Sequence, residues 1–295
     1  MSTITTTTTA TTTAPSPTGS SAVGASPRPG WRAPLATLAR RRMALSARTP
    51  REILVPLMTP VLFAVIIAPA LADTLGGTVG GIDYMTFVAV STIGLLVPLS
   101  CLSAGLGVVV DRLGGAQRDM LAAPIPRPLI VAGNLVVAVF LSGLQLVALV
   151  GAAALRGAEF DVRGTGVGWF VAAALCFAVA MYGVAETLAN RIPTQEEYIG
   201  VLPAVAIVPW FVAGSLFPIG ALPVGLTAIA KVLPLTHVLA LMRYGLVDPT
   251  GAGLHDIWGM DDPTAMAVLS LAVVVAFAVA FAAIAVRTFS RTAVR

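Results

Sequence analysis

Hydrophobic and polar positions alternate along this chain in long blocks. Five runs without a single charge stand out, at 53–72, 84–110, 129–155, 166–185 and 264–286. Each meets the roughly 20 apolar residues that a helix needs to cross about 30 Å of hydrocarbon. The fourth run reads as the core of a span reaching to 188. A further uncharged block, 199–230, holds 32 residues, which as one helix would measure about 48 Å, too long for a single upright span. The chain must fold back inside it. The stretch "SLFPIGALPVG" puts Pro218, Gly220 and Pro223 at the required break, because proline removes a backbone donor and clashes with the preceding turn. The expected solution is a fifth span at about 199–217, then one or two short helices over 218–245 that dip into or lie on the outer leaflet. The fold class expected is therefore an all-α integral membrane protein with six transmembrane helices and short re-entrant or interfacial helices between spans five and six.

The ends read differently. Residues 1–30 are rich in Thr, Ser, Ala, Pro and Gly and lack the apolar core of a signal peptide, so a disordered tail is expected there. Residues 31–52 place Trp31, Leu35, Leu38 and Leu45 among Arg32, Arg40, Arg41, Arg42 and Arg48. That spacing suggests a basic helix on the membrane surface, with Arg42 intruding on its apolar side. Residues 291–295 form a short tail.

Charge supplies the orientation. Lys and Arg are counted on alternate sides of six spans: residues 1–52 hold 7 Arg, the segment 111–128 holds 3, Arg191 adds one and the C-terminal end 3, against only Arg156, Arg163, Lys231 and Arg243 on the other side. Basic residues accumulate on the cytoplasmic side, so both termini are expected in the cytoplasm, in the cytoplasmic cell membrane. The polar segment "DRLGGAQRDMLAAPIPRP" at 111–128 then faces the cytoplasm between spans two and three, and offers a short helix over Gly115 to Ala122 bounded by Gly114 and Pro124. Asp73, Asp83, Asp248, Asp256, Asp261 and Asp262 fall in the external loops, where solvated acids carry no implied role.

Composition agrees with this and narrows the chemistry. The chain is 57% hydrophobic and 11% charged, far from the roughly 25% charged residues of soluble domains. The net charge of +4 sits beside apolar runs instead of on one soluble face, which argues against nucleic acid as a partner. Cys101 and Cys176 both lie in apolar runs and read as buried small hydrophobes. The single lysine, Lys231, follows "VGLTAIA", which is no phosphate-binding loop, so no nucleotide site is expected. His237 and His255 lack metal-ligand spacing with each other or with cysteine, and no metal or catalytic residue is expected. "GTGVG" at 164–168 lacks the strand that would make it a dinucleotide loop. No ionisable residue lies at the centre of a span; Glu186 comes nearest, at the end of span four within reach of headgroup water. A transporter driven by its own titrating groups usually buries such residues at mid-depth, so the energy source is expected outside the chain.

Four segments in order carry a resemblance: "RTPREILVPLMTPVLF", "IDYMTFVAVSTIGLL", "VVVDRLGGAQRDMLAAPIPRPLIVAGNL" and "FVAGSLFPIGALPVGLTAIAKVLPLTHVLALMR". Over about residues 45–290 the chain resembles the permease subunit of type-2 ABC exporters, the family of the daunorubicin/doxorubicin-resistance permeases and the O-antigen and teichoic-acid exporter permeases. The resemblance implies a type-2 transmembrane domain over 53–290 and an ATP-driven exporter whose partners are two copies of a separate ATP-binding subunit and a second permease subunit. ATP and Mg would be bound by the partner and no cofactor by this chain. It also implies a coupling helix in 111–128, with Asp111, Arg112, Gly114, Arg118, Asp119, Pro124 and Arg127. Leu113 departs from the pattern, standing where members often carry an acid. An outer gate would involve Phe217, Pro218, Leu222, Pro223, Pro234, Leu235, Thr236 and Arg243, the last near the external interface. Asn134 and Gln145, polar residues within span three, could line a substrate path or hydrogen-bond between helices. The low aromatic content, 6%, leans towards an amphipathic drug-like, lipid-like or polyketide-like cargo. The rival reading is an ion-gradient-driven secondary transporter, which would run without an ATPase.

Overall fold

A computed structural model of the chain describes residues 31–48, 54, 58, 61–62, 65–66, 70, 78–79, 81–155, 157–161 and 164–292. The tail 1–30, nearly all of predicted span one at 53–72, residues 49–52, Asp73, Arg156, Arg163 and the end 293–295 lie outside the described residues.

The described residues form α1 (Arg32–Arg48), a hairpin of β1 (Thr78–Val79) and β2 (Ile82–Asp83), α2 (Tyr84–Leu113), α3 (Ala116–Ala122), α4 (Arg127–Leu155), α5 (Gly166–Arg191), α6 (Gln195–Val212), a 3-10 turn (Ile219–Ala221), α7 (Val224–Val232), α8 (Pro234–Leu246), α9 (Ala252–Trp258) and α10 (Pro263–Thr292). Four of these, α2, α4, α5 and α10, are long and apolar enough to cross a membrane, and α7 with α8, bent by 80° at their junction, makes up to a fifth if the pair is one span. The sequence expectation of a span at 199–217 meets the shorter α6, which holds Pro203 and Pro209 and stops at Val212. Two elements were not anticipated, the short hairpin and α9 within the segment 246–263.

Local chemistry sets the helix ends. Asp83 accepts from the Thr86 amide at 2.9 Å and its hydroxyl at 3.1 Å, capping the first turn of α2. Thr194 accepts from the Glu197 amide at 3.3 Å, and Thr194 with Glu197 three residues on is a capping-box sequence at the start of α6. Asp248 accepts from the Ala252 amide at 2.8 Å and Asp262 from the Thr264 and Ala265 amides at 2.9 and 3.2 Å. Asp83, Asp248 and Asp262 thus satisfy orphan helix donors, a role not assigned to them from sequence.

Packing is organised on α2. Its apolar window is 72% buried, against 28% for α4, 39% for α5 and 22% for α10. It contacts α4, α5, α6 and α8, while α10 lies along α5. From Thr86 to Pro98 every residue of α2 is buried. A helix apolar all round belongs in such a position, since it has no face to offer water. Its two ends, about 45 Å apart for 30 residues, carry the polar features described next.

Candidate functional site

At the Leu113 end of α2, α1, α3, the end of α5 and the start of α6 converge on a set of polar side chains. Gln117, Tyr182, Asn190 and Tyr198 among these were not singled out from sequence. Arg41 of α1 makes a two-pronged ion pair with Asp111, Nη2 donating to Oδ1 at 3.2 Å and Nη1 to Oδ2 at 3.3 Å. Its Nη1 also approaches Met120 Sδ of α3 at 3.5 Å. One guanidinium therefore ties α1, α2 and α3 together. Leu113, where an acid was anticipated from the resemblance, is exposed, and Asp111 supplies the ion pair from two residues earlier.

Arg112 points the other way. Nη1 donates to the Ala189 carbonyl at 2.6 Å, and Nη2 to the carbonyls of Ile192 at 2.5 Å and Pro193 at 3.1 Å. Helix ends leave their last carbonyls without intrahelical donors, and a cation also suits the negative end of the macrodipole. Arg112 thus clamps the terminus of α5 to α2.

Between them runs α3. Gly115, at φ +83°, turns the chain into the helix, a conformation that glycine adopts at little steric penalty. Gln117 is buried and its amide lies 3.4 Å from Asn190 Oδ1. Arg118 and Asp119 are exposed, as are Gly114, Pro124 and Arg127. Arg127 donates to the Ser290 carbonyl at 3.0 Å, fastening the end of the segment to α10. Of the seven residues carried over by the resemblance, three therefore brace the segment internally (Asp111, Arg112 and Arg127), and Arg118 and Asp119 present charge outwards.

Arg42 of α1 faces the rest of the chain. The face that α1 buries carries Arg42 and Ser46, while Trp31 is 62% exposed and Leu45 is exposed too. Arg42 Nη2 donates to the Ala104 carbonyl at 2.9 Å, beside Gly107, where an added Cβ would stand 1.8 Å from that nitrogen. Glycine at 107 is what admits the guanidinium.

Glu186 is likewise not at a wetted helix end, as its sequence position suggested; it is 0% exposed. Tyr182 Oη donates to its Oε2 at 2.6 Å and Asn190 Nδ2 to its Oε1 at 3.0 Å, with the Arg42 guanidinium in electrostatic reach. Residues 182, 186 and 190 are four apart and share one helix face. That spacing was readable in the sequence, and it is the signal that could have found the cluster. Tyr198 of α6 donates to the Leu102 carbonyl at 2.9 Å and closes the set.

Gln145 of α4 is buried and accepts a short hydrogen bond from Ser100, joining α4 to α2. Asn134 lines a cavity of only about 10 Å³ with Arg42, Ser100 and Gln145. An apolar groove of about 250 Å³ lies higher between α2, α4 and α5, lined by Val97, Leu146, Phe170 and Val171 among others.

The anticipated gate residues gather at the far end of α2. Pro218 precedes the 3-10 turn, Pro223 precedes α7, and Pro234 occupies the first turn of α8, where its missing amide goes unneeded. Leu235 and Thr236 are buried, Phe217 exposed and Leu222 half-buried. Arg243 is 7% exposed and reaches inwards to Ser91 Oγ at 2.5 Å and the Gly214 carbonyl at 3.0 Å.

Among the described residues no group of three His, Cys, Asp or Glu side chains is placed to hold a metal ion. No curated protein matches the chain. A family model described as ABC-2 type transporter matches residues 34–247, from the buried-arginine helix α1 through the braced segment to the end of α8. That match takes in most of the sequence, and the chain belongs to the ABC-2 type transporter family, as a membrane-embedded permease component.

Proposed function

We propose that the chain is the permease subunit of an ATP-driven exporter. In this reading it has six spans with both termini in the cytoplasm, sits in the cytoplasmic cell membrane, pairs with a second permease subunit, and is driven by two copies of a separate ATP-binding subunit that carries ATP and Mg. The cargo is an amphipathic drug-like, lipid-like or polyketide-like molecule, moved outwards from the cytoplasm or inner leaflet. The observation that carries the reading is the division of labour in residues 111–127. Arg112, Asp111 and Arg127 lock the segment to α5, α1 and α10, whereas Arg118 and Asp119 on α3 are left exposed as a short charged surface. A lever needs both properties, because a force applied to a loosely held loop would be dissipated before it reached the spans. The apolar groove between α2, α4 and α5 supports a cargo with a hydrophobic body.

The test co-purifies this chain in lipid with a candidate ATP-binding subunit. Arg118→Glu with Asp119→Arg alters only exposed positions, so the fold should survive; loss of partner binding or of transport-stimulated ATP hydrolysis supports the reading. If both persist unchanged, α3 is not the docking element. Transport that continues without any ATPase and stops when the ion gradient is collapsed would instead establish secondary transport.

A further inference from the structure

Around Arg243, at the end of α2 remote from the braced segment, lies a cavity of about 240 Å³ lined by Phe87, Pro218, Thr236, Arg243, Asp248 and Asp256 among others. Phe87 and Asp111 are 24 residues apart on α2, about 36 Å of helix, so this cavity and the coupling region are separate places. We propose that the cavity binds a small zwitterion, free or as a lipid headgroup, with the ligand's anionic group on Arg243 and Thr236 and its ammonium on Asp256.

The cation is the first argument. Arg243 is buried, and guanidinium stays protonated in proteins. Its Nη2 makes both of its hydrogen bonds, Nε makes none, and the guanidinium carbon lies 3.6 Å from the Phe87 ring centroid. Among the described residues it forms no ion pair. A ring face and two neutral acceptors offset only part of the desolvation that burying an unpaired ion costs. An anion entering the cavity supplies what is missing. Thr236 is the second argument: it is 3% exposed, its Oγ1 has no partner, and it lines the same cavity as the arginine.

Asp256 decides the other half of the ligand. The neighbouring Asp248 is committed, since its Oδ1 accepts from the Thr250 amide at 3.0 Å and its Oδ2 from the Ala252 amide at 2.8 Å. Asp256 is half-buried on the wall and makes no hydrogen bond or ion pair among the described residues. A purely anionic ligand would meet an opposing carboxylate, whereas an ammonium satisfies it. Size points the same way: at about 240 Å³ the cavity lies below the roughly 300–1,000 Å³ of drug-sized sites and suits a headgroup-sized molecule.

Binding is read on this chain alone, so the inference stands or falls apart from the ATP-driven reading. In nonionic detergent, calorimetric titration with O-phosphoethanolamine is compared with inorganic phosphate and with ethanolamine. In phosphatidylglycerol nanodiscs, native mass spectrometry follows retention of added phosphatidylethanolamine. Because Arg243 also holds Ser91 and the Gly214 carbonyl inside the fold, Thr236→Val and Asp256→Asn are the deciding variants, checked for unchanged melting temperature. Saturable binding of O-phosphoethanolamine, weakened about tenfold by either variant, which corresponds to one charge-assisted contact, supports the site and a free ligand. Retention of the lipid alone, lost in both variants, supports the site with a lipid as the source. Phosphate binding as tightly as O-phosphoethanolamine, binding indifferent to both substitutions, or binding of neither probe overturns it.

Discussion

Arg41 on α1 and Asp111 on α2 meet through two parallel N–H···O contacts of 3.2 and 3.3 Å, although 70 residues separate them in sequence. The arginine is 36% exposed and the aspartate 13%, so solvent screens the pair and its contribution is about 0.5–1 kcal/mol despite the favourable fork geometry. We expect Arg41→Ala and Asp111→Ala each to lower stability by about that amount. A double-mutant cycle on chemical or thermal unfolding in detergent should return an interaction energy that shrinks as salt is raised. A cycle energy of zero at low salt would remove the pair as the tie between α1 and the braced segment.

Gly107→Ala addresses the neighbouring arginine. The new methyl would fall 1.8 and 2.2 Å from the two terminal nitrogens of Arg42, so the guanidinium must leave its place on the Ala104 carbonyl. A buried charge-assisted hydrogen bond is worth about 1.5–3 kcal/mol. The substitution should loosen α1, seen as faster amide exchange through 32–48. It should also add little to Arg42→Met, because both remove the same contact. Full additivity of the two would mean that Gly107 serves some other neighbour.

How far these features could be read from sequence follows from what kind of signal each leaves. Long apolar runs announced α2, α4, α5 and α10, and the prolines at 218 and 223 announced a break, because span length and backbone chemistry are local. Arg42 on the apolar side of α1 was visible as a misfit, but its partner Ala104 is 62 residues away and no local rule names it. Glu186 misled for a physical reason: position along a helix gives depth in the membrane, whereas burial depends on which face neighbouring helices cover. Gln145 shows the same limit. Its polarity was evident, yet only packing reveals that Ser100 of α2 is its partner.

Arg112→Lys tests whether charge or shape holds α5. The guanidinium reaches three carbonyls in different directions, those of Ala189, Ile192 and Pro193, which a single ammonium cannot reproduce at the same distances. Lysine should therefore recover less than half of the loss caused by Arg112→Ala, about 2–3 kcal/mol for removing charge-assisted bonds to backbone acceptors. Melting temperature, together with limited proteolysis in the Ile192–Thr194 connection, reads both effects. If lysine restores wild-type behaviour, the macrodipole alone accounts for the interaction.

Glu186 and Arg42 form the sharpest case, because both are buried, at 0% and 4% exposure. Glu186→Ala leaves Arg42 without its nearby counter-charge and leaves Tyr182 Oη and Asn190 Nδ2 without their acceptor, so a loss of about 3–5 kcal/mol is expected. Tyr182→Phe removes only one donor and should cost about 1.5–3 kcal/mol. Replacing both charges at once, Arg42→Met with Glu186→Leu, reverses the logic. Desolvation of two ions disappears together with their attraction, and apolar replacements of buried pairs are often neutral or stabilising. The double variant should therefore melt above Glu186→Ala and above Arg42→Met alone, as thermal unfolding of the purified chain would show. A double variant less stable than either single change would mean that the two residues contribute through separate contacts, and that the cluster at the Leu113 end of α2 is not electrostatically coupled.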